Sequence, residues 1–207
     1  MVIIVQQGQR IELTTRETDL SRILVGLGWD PVATSACEKN QPPDSDDDAG
    51  PPLIQPIDCD ASVLMLNAER KLRRKEDIIY YRNLRSLCKS VQHMGDSRTG
   101  EQHEDDEQIL IDLKLIPPAI HTLLFVVTIY DCETRRQDFS FIRNAYIRIV
   151  NLANRHEIMR FKLTDPYVCK TALIVGEIFR MQDDWKFGAI GEGTEDTSLF
   201  EIARRFA

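Results

Sequence analysis

"TLLFVVTIY", residues 122–130, contains an unbroken apolar run from Leu123 to Val127 and continues into Ile129 and Tyr130. β-Branched and aromatic residues dominate it, and it has no period-two alternation to leave one side wet. A strand of this kind lies inside a sheet with cover on both faces. It is far shorter than the ~20 residues a membrane-spanning helix needs. The rest of the fold must therefore supply pairing strands on both edges and packing layers above and below.

Candidates for those strands recur along the chain between turn-forming residues. "ASVLML" (61–66), "DIIYY" (77–81) and "ILIDL" (109–113) precede the central run. "AYIRIVN" (145–151), "EIMRFKL" (157–163), "TALIVGEIF" (171–179) and "WKFGAI" (185–190) follow it. In "AYIRIVN", Ala145, Ile147 and Ile149 alternate with Tyr146, Arg148 and Val150, which predicts one apolar face and a solvated Arg148. At the start, Val2 to Val5 and Ile11 to Leu13 flank Gly8 and predict a hairpin. This spacing predicts a mainly β protein, an antiparallel β-sandwich with a few short helices.

Helical signals are sparse. Ser198 and Glu201 have capping-box spacing, Leu199, Ile202 and Phe206 follow at helical intervals, and Arg204 and Arg205 suit the negative end of the dipole. Short helical turns are expected from Pro117 and Pro118 and over Arg135 to Ile142. The glycines of "GAIGEG" (188–193) predict a turn before the C-terminal helix. The segment 37–56, "CEKNQPPDSDDDAGPPLIQP", has five prolines and four aspartates. It is too poor in apolar residues to offset its ordering entropy and reads as an acidic surface insertion within one domain spanning 1–207.

Composition narrows the function. With 207 residues and 43% hydrophobic content, the chain can build a core without metal or disulfide support. Its five cysteines are scattered and form no C-x-x-C pair, which predicts reduced thiols in a cytoplasmic setting. A formal charge of −7 opposes nonspecific binding to nucleic acid or anionic membrane. The basic stretch "ERKLRRKED" (69–77) is bracketed by acids, lacks aromatics and reads as a solvated strand connection.

Carboxylates supply the most distinctive chemistry. In "GDSRTGEQHEDDE" (95–107), Asp96, Asp105, Asp106 and Glu107 surround Thr99, a composition suited to the oxygen ligands of calcium. An EF-hand is excluded, since Arg98 stands at the third position of the loop and Glu101 at the sixth, where glycine is required. "DCDAS" places Asp58 and Asp60 two residues apart at the start of a strand, so both face one side. Like charges held together favour a cation, but solvated acidic loops are the simpler reading of the same residues. Hydrolytic signatures such as G-x-x-x-x-G-K-[ST], H-E-x-x-H and G-x-S-x-G do not occur, so motif evidence for an enzyme is lacking.

"VGLGWDP" (25–31), "DCDASVLML" (58–66), "GDSRTG" followed by "DDE" (95–107) and "FVVTIYD" (125–131) occur in that order. "RRQDF" (135–139), "NAYIRIVN" (144–151), "GEIFR" (176–180) and "WKFGAIGEG" (185–193) continue it. Together they resemble the TerD family of bacterial tellurite-resistance and general stress proteins over all of the chain except the insertion. The resemblance implies a β-sandwich and a nonenzymatic calcium-binding scaffold or interaction module. By position it implies metal ligands at Asp30, Asp58, Asp60, Asp96, Asp105, Asp106 and Glu107, with backbone carbonyls near Thr99 and Gly100.

The same resemblance implies other stress or tellurite-resistance proteins as partners, in the cytoplasm or at the inner membrane surface. Ser97 replaces the family's asparagine, and Gln102 and Glu104 replace glycines that would let the loop wrap an ion. These substitutions are compatible with weaker calcium binding, with one site instead of two, and with a degenerate scaffold. An enzyme or small-molecule binding protein using the same acidic loop end is the alternative of a different class.

Overall fold

The run at 122–130 becomes an eight-residue strand buried along its whole length, and the remaining strands are arranged around it. The computed structural model describes residues 2–14, 20–32, 57–95, 105–165, 167–182 and 184–207. Its early strands are β1 (Ile3–Val5), β2 (Arg10–Glu12), β3 (Arg22–Pro31), β4 (Cys59–Leu66), β5 (Ile78–Ile79) and β6 (Val91–His93). They are followed by β7 (Glu107–Asp112), β8 (Thr122–Ile129), β9 (Ile142–Asn151), β10 (His156–Lys162), β11 (Ala172–Met181) and β12 (Asp184–Thr194). Two short helices, α1 (Cys132–Arg135) and α2 (Leu199–Arg204), accompany them.

The strands form two six-stranded sheets. The first has the order β1-β10-β9-β3-β7-β6 and the second β2-β12-β11-β8-β4-β5. Every pairing is antiparallel except that of β1 with β10. β8 lies between β4 and β11, the interior position its continuous apolar sequence demands.

Two layers cover β8. Leu123, Phe125, Val127 and Ile129 enter the core between the sheets, beside Ile23, Val25 and Leu27 of β3 and Ile147 and Ile149 of β9. Leu124 and Val126 point outward, beneath Leu199, Ile202 and Ala203 of α2. Full burial of side chains of this size stabilises by roughly 1.5–3 kcal/mol each before entropy is subtracted, so α2 is a structural lid. Ser198 caps it as expected, with its hydroxyl accepting from the Glu201 N–H at 3.3 Å. Glu201 Oε2 reaches back to the Thr197 N–H at 2.8 Å.

Several local expectations are corrected. β1 and β2 do not form a hairpin, because β1 joins the first sheet through β10 and β2 the second through β12. The turn at Gly8 hands the chain across the sandwich. Near the prolines, the short 3-10 turn is Leu113–Leu115, before Pro117, whereas the turn expected over Arg135 to Ile142 is present as a 3-10 turn at Phe139–Phe141, after α1 ends at Arg135. "GAIGEG" lies within β12. Both β3 and β6 were absent from the sequence-based strand set.

Candidate functional site

β3 organises the acidic end of the first sheet. Its inner face carries Ile23, Val25 and Leu27, while glycine occupies positions 26 and 28 on the outer face. β9 runs alongside, with Arg148 opposite Gly26 and Tyr146 opposite Gly28. A Cβ on Gly26 would fall on the Asp105 carboxylate, and one on Gly28 would strike the Tyr146 ring at 2.5 Å. Glycine is required here because neighbouring side chains lie directly on the backbone.

Asp105 fills the space above Gly26. Arg148 Nε donates to its Oδ1 at 2.7 Å and Arg148 Nη2 to its Oδ2 at 2.9 Å. The Tyr146 hydroxyl donates to Oδ1 at 3.1 Å and Gln108 Nε2 to Oδ2 at 3.3 Å. Burial and the adjacent Asp105 raise the Tyr146 pKa, keeping the phenol a proton donor. Arg148 also donates to Glu157 at 3.2 Å, and Glu157 accepts from Arg160 at 2.8 Å. Arg148, expected to be solvated, is thus the centre of a covered polar knot.

The next two acids diverge from Asp105. Asp106 Oδ2 accepts from the Trp29 N–H at 2.7 Å, and Asp30 Oδ2 accepts from Asn144 Nδ2 at 2.8 Å. Asp30 and Asp106 line one groove with Trp29, Asn144, Tyr146, Arg160 and Lys162. Burial pushes the Asp106 carboxyl up; the Trp29 hydrogen bond opposes that shift, and repulsion from Asp30 and Asp105 adds to it.

Glu107 turns into the sandwich. Its Oε2 accepts from the Ala61 N–H of β4 at 2.9 Å and lies 2.9 Å from His93 Nε2. The Gly95 N–H donates to His93 Nδ1 at 3.0 Å, which fixes the proton of a neutral imidazole on Nε2, facing Glu107 and the Ala61 carbonyl. This link joins the two sheets at the point where "DCDAS" and "DDE" meet. No sequence pattern marked His93 as its member.

The other acidic pair belongs to the second sheet. Asp58 is exposed just before β4, and its carbonyl accepts from the Tyr130 N–H at 2.8 Å. Asp60 faces outward from β4 with Ser62, while Cys59 and Ala61 face the core. The Cys59 thiol lies within the combined field of both acidic segments. Burial, followed by Asp58, Asp60, Glu107 and Asp106, pushes its pKa well up, so it is a protonated thiol unsuited to attack.

The two acidic segments thus share one end of the sandwich. Among the described residues, however, no three His, Cys, Asp or Glu side chains close into a metal-sized cluster. Asp96, Thr99 and Gly100, together with the substituted positions Ser97, Gln102 and Glu104, lie outside the described residues. So does the 37–56 insertion. The notable aromatics are accounted for by packing, since Trp185 and Phe187 are in the core and Trp29 lies against it.

A two-sheet sandwich with carboxylates gathered where "DCDAS" meets "DDE" defines the class of protein. The chain belongs to the TerD family: the TerD domain model matches residues 1–206. It is 47% identical over 206 residues to stress response protein SCP2 of Bacillus subtilis, covering 100% of both chains. It is 37% identical to tellurium resistance protein TerD of Serratia marcescens, over 93% of this chain and 91% of that one. A crystal structure of a homologue of telluride resistance protein (TerD) from Streptomyces coelicolor superposes with a TM-score of 0.62 at 18% identity, a likeness of fold. It covers 91% of this chain and 98% of that chain. Family and β-rich fold are as the motifs implied, and no helix among the described residues is long and apolar enough to cross a membrane.

Proposed function

We propose that this chain is a nonenzymatic, calcium-responsive stress-response module whose acidic end orders around the ion and then presents a surface to a protein partner. The observation that carries the reading is the placement of Asp30 and Asp106 in one groove, Asp106 coming two residues after the 96–104 segment in the sequence. Mutual repulsion there gives a divalent cation an electrostatic advantage. Both ends of that segment are anchored. Gly95 is tied to His93 before it, and Asp105, Asp106 and Glu107 are tied to Arg148, Trp29 and Ala61 after it.

In this reading Asp105 is a structural counterion to Arg148, because both of its oxygens already accept strong charge-assisted bonds. The exposed acids Asp30 and Asp106 carry the ion-binding role, with Asp96 and carbonyls near Thr99 and Gly100 completing the shell. Asp58 and Asp60, across the Glu107 link, supply the remaining negative field. The names of the relatives as stress and tellurium-resistance proteins favour partners from the same response. The proposal places the chain in the cytoplasm, including the inner membrane surface.

Calorimetric titration of calcium into the wild-type chain and into Asp30→Asn and Asp106→Asn tests the assignment. Saturable heat that is lost in both variants supports it. A silent wild type, or variants that bind like the wild type, removes these residues from the role.

A further inference from the structure

The exposed aromatic residues of the described chain are concentrated. Tyr81, Tyr130 and Phe200 are 40%, 45% and 48% exposed, and all three line one groove of about 430 Å³ on the outer face of the second sheet. Tyr80 completes the wall, with its ring edge-to-face to Tyr81 at 5.3 Å and to Phe200 at 5.8 Å. Water-exposed rings on a folded chain forgo burial, and their convergence on one concavity of ligand size is the mark of a binding site.

The floor is polar. It is formed by Asp60 and Ser62 of β4 and Thr128 of β8, where the cover provided by α2 runs out. Ser62 is 1% exposed, and its Oγ has no hydrogen-bond partner among the described residues. Buried hydroxyls are normally satisfied, so this one is an unmatched recognition group beneath the rings. Among the described residues, the charged side chains of the lining are Asp60, which is engaged elsewhere, and Asp131. Asp131 precedes α1 without capping it through its side chain.

Aromatic faces and carboxylates share one preference. Ring quadrupoles attract cations, most strongly where water is partly excluded, and the Asp131 carboxylate in the lining adds a directed charge. The chain's own arginines demonstrate the attraction, with Arg135 at 5.1 Å over the Tyr130 ring and Arg82 at 5.3 Å over Tyr81. Among the described residues, neither arginine lines the groove.

We propose that this groove is a binding site for a small organic ammonium: Tyr80, Tyr81, Tyr130 and Phe200 enclose the cationic head, Asp131 balances its charge, and Ser62 accepts or donates a hydrogen bond to its polar tail. Size and lining suit a compact quaternary ammonium such as choline, which is the probe. The site does not depend on the calcium reading, and the test is run in chelator so that the two stand or fall separately.

Choline is titrated by NMR or calorimetry, beside its neutral isostere in which a quaternary carbon replaces the nitrogen. Saturable choline binding is expected, with the isostere about tenfold weaker or worse, since only the charge differs. Phe200→Ala and Asp131→Asn should each weaken choline about tenfold. Phe200 is half exposed, so its replacement leaves the fold intact, as circular dichroism will verify. Equal binding of the isostere, unchanged affinity in Phe200→Ala, or no saturation of the wild type by about 10 mM choline overturns the proposal.

Discussion

Replacing Asp105 with asparagine tests whether this acid belongs to the fold or to an ion site. Its side chain is fully buried, and it meets Arg148, 16% exposed, through two bonds of 2.7 and 2.9 Å. Breaking a buried pair by removing one partner typically costs about 3–5 kcal/mol, because the other charge is left without compensation. Arg148 retains Glu157 at 3.2 Å, which places the expected loss near the lower end, about 3 kcal/mol. For a chain of this size, that lowers the midpoint of thermal unfolding by about 6–12 °C.

Unfolding by urea and by heat, followed by far-ultraviolet circular dichroism in chelator, measures the loss without any contribution from bound ion. A loss below about 1 kcal/mol would class the pair with weak surface ion pairs and refute the knot as a structural device. Removing Arg148 in the same background should add less than its separate effect, since the two side chains form one unit.

Two further outcomes follow from the same geometry. Arg160, then Arg148, hold the Glu157 carboxyl below its ordinary pKa against the opposing effect of burial. Its contribution to stability is present above the unfolded-state pKa of about 4.3 and is lost as pH falls through the depressed folded value. Glu157→Gln should therefore show a shallower stability decline than wild type in that acid range, and parallel curves would contradict the assignment. At the C-terminal helix, Ser198→Ala removes the N-cap acceptor and should cost about 1 kcal/mol by urea unfolding. No change would mean that the Glu201 contact to Thr197 suffices alone.

Legibility from sequence divided along the line between local pattern and distant contact. The burial of β8 on both faces and the capping of α2 follow from neighbouring residues, and both were readable. In β3, Ile23, Val25 and Leu27 alternate as a strand should, but Gly26 and Gly28 interrupt the run of strand-forming residues. Those glycines admit Asp105, from just before β7, and Tyr146 of β9, a reason visible only once β7, β3 and β9 are side by side.

Arg148 shows the same limit. Strand periodicity placed it correctly on the outer face of β9, but Asp105, 43 residues away, removes it from solvent. Period-two reasoning identifies a face and says nothing about what covers it. The acids themselves were legible as a group from "DCDAS" and "DDE", whereas their division among the two outer faces and the interior depends on sheet order. His93 was hidden because its role comes from Glu107 and Gly95, with no motif of its own. The groove aromatics come from three separate regions of the chain and likewise share no local signal.

Thermal unfolding with and without calcium tests the central reading most directly, because an ion that binds only the folded acidic end must stabilise it. At a free calcium concentration of 100 times Kd, linkage predicts about 2.7 kcal/mol. For a chain of this size that is a rise of about 5–10 °C in the midpoint. The rise should be absent with magnesium at equal concentration, whose small, rigid octahedral demand suits a loop-built site poorly. A midpoint unmoved by millimolar calcium would contradict the account.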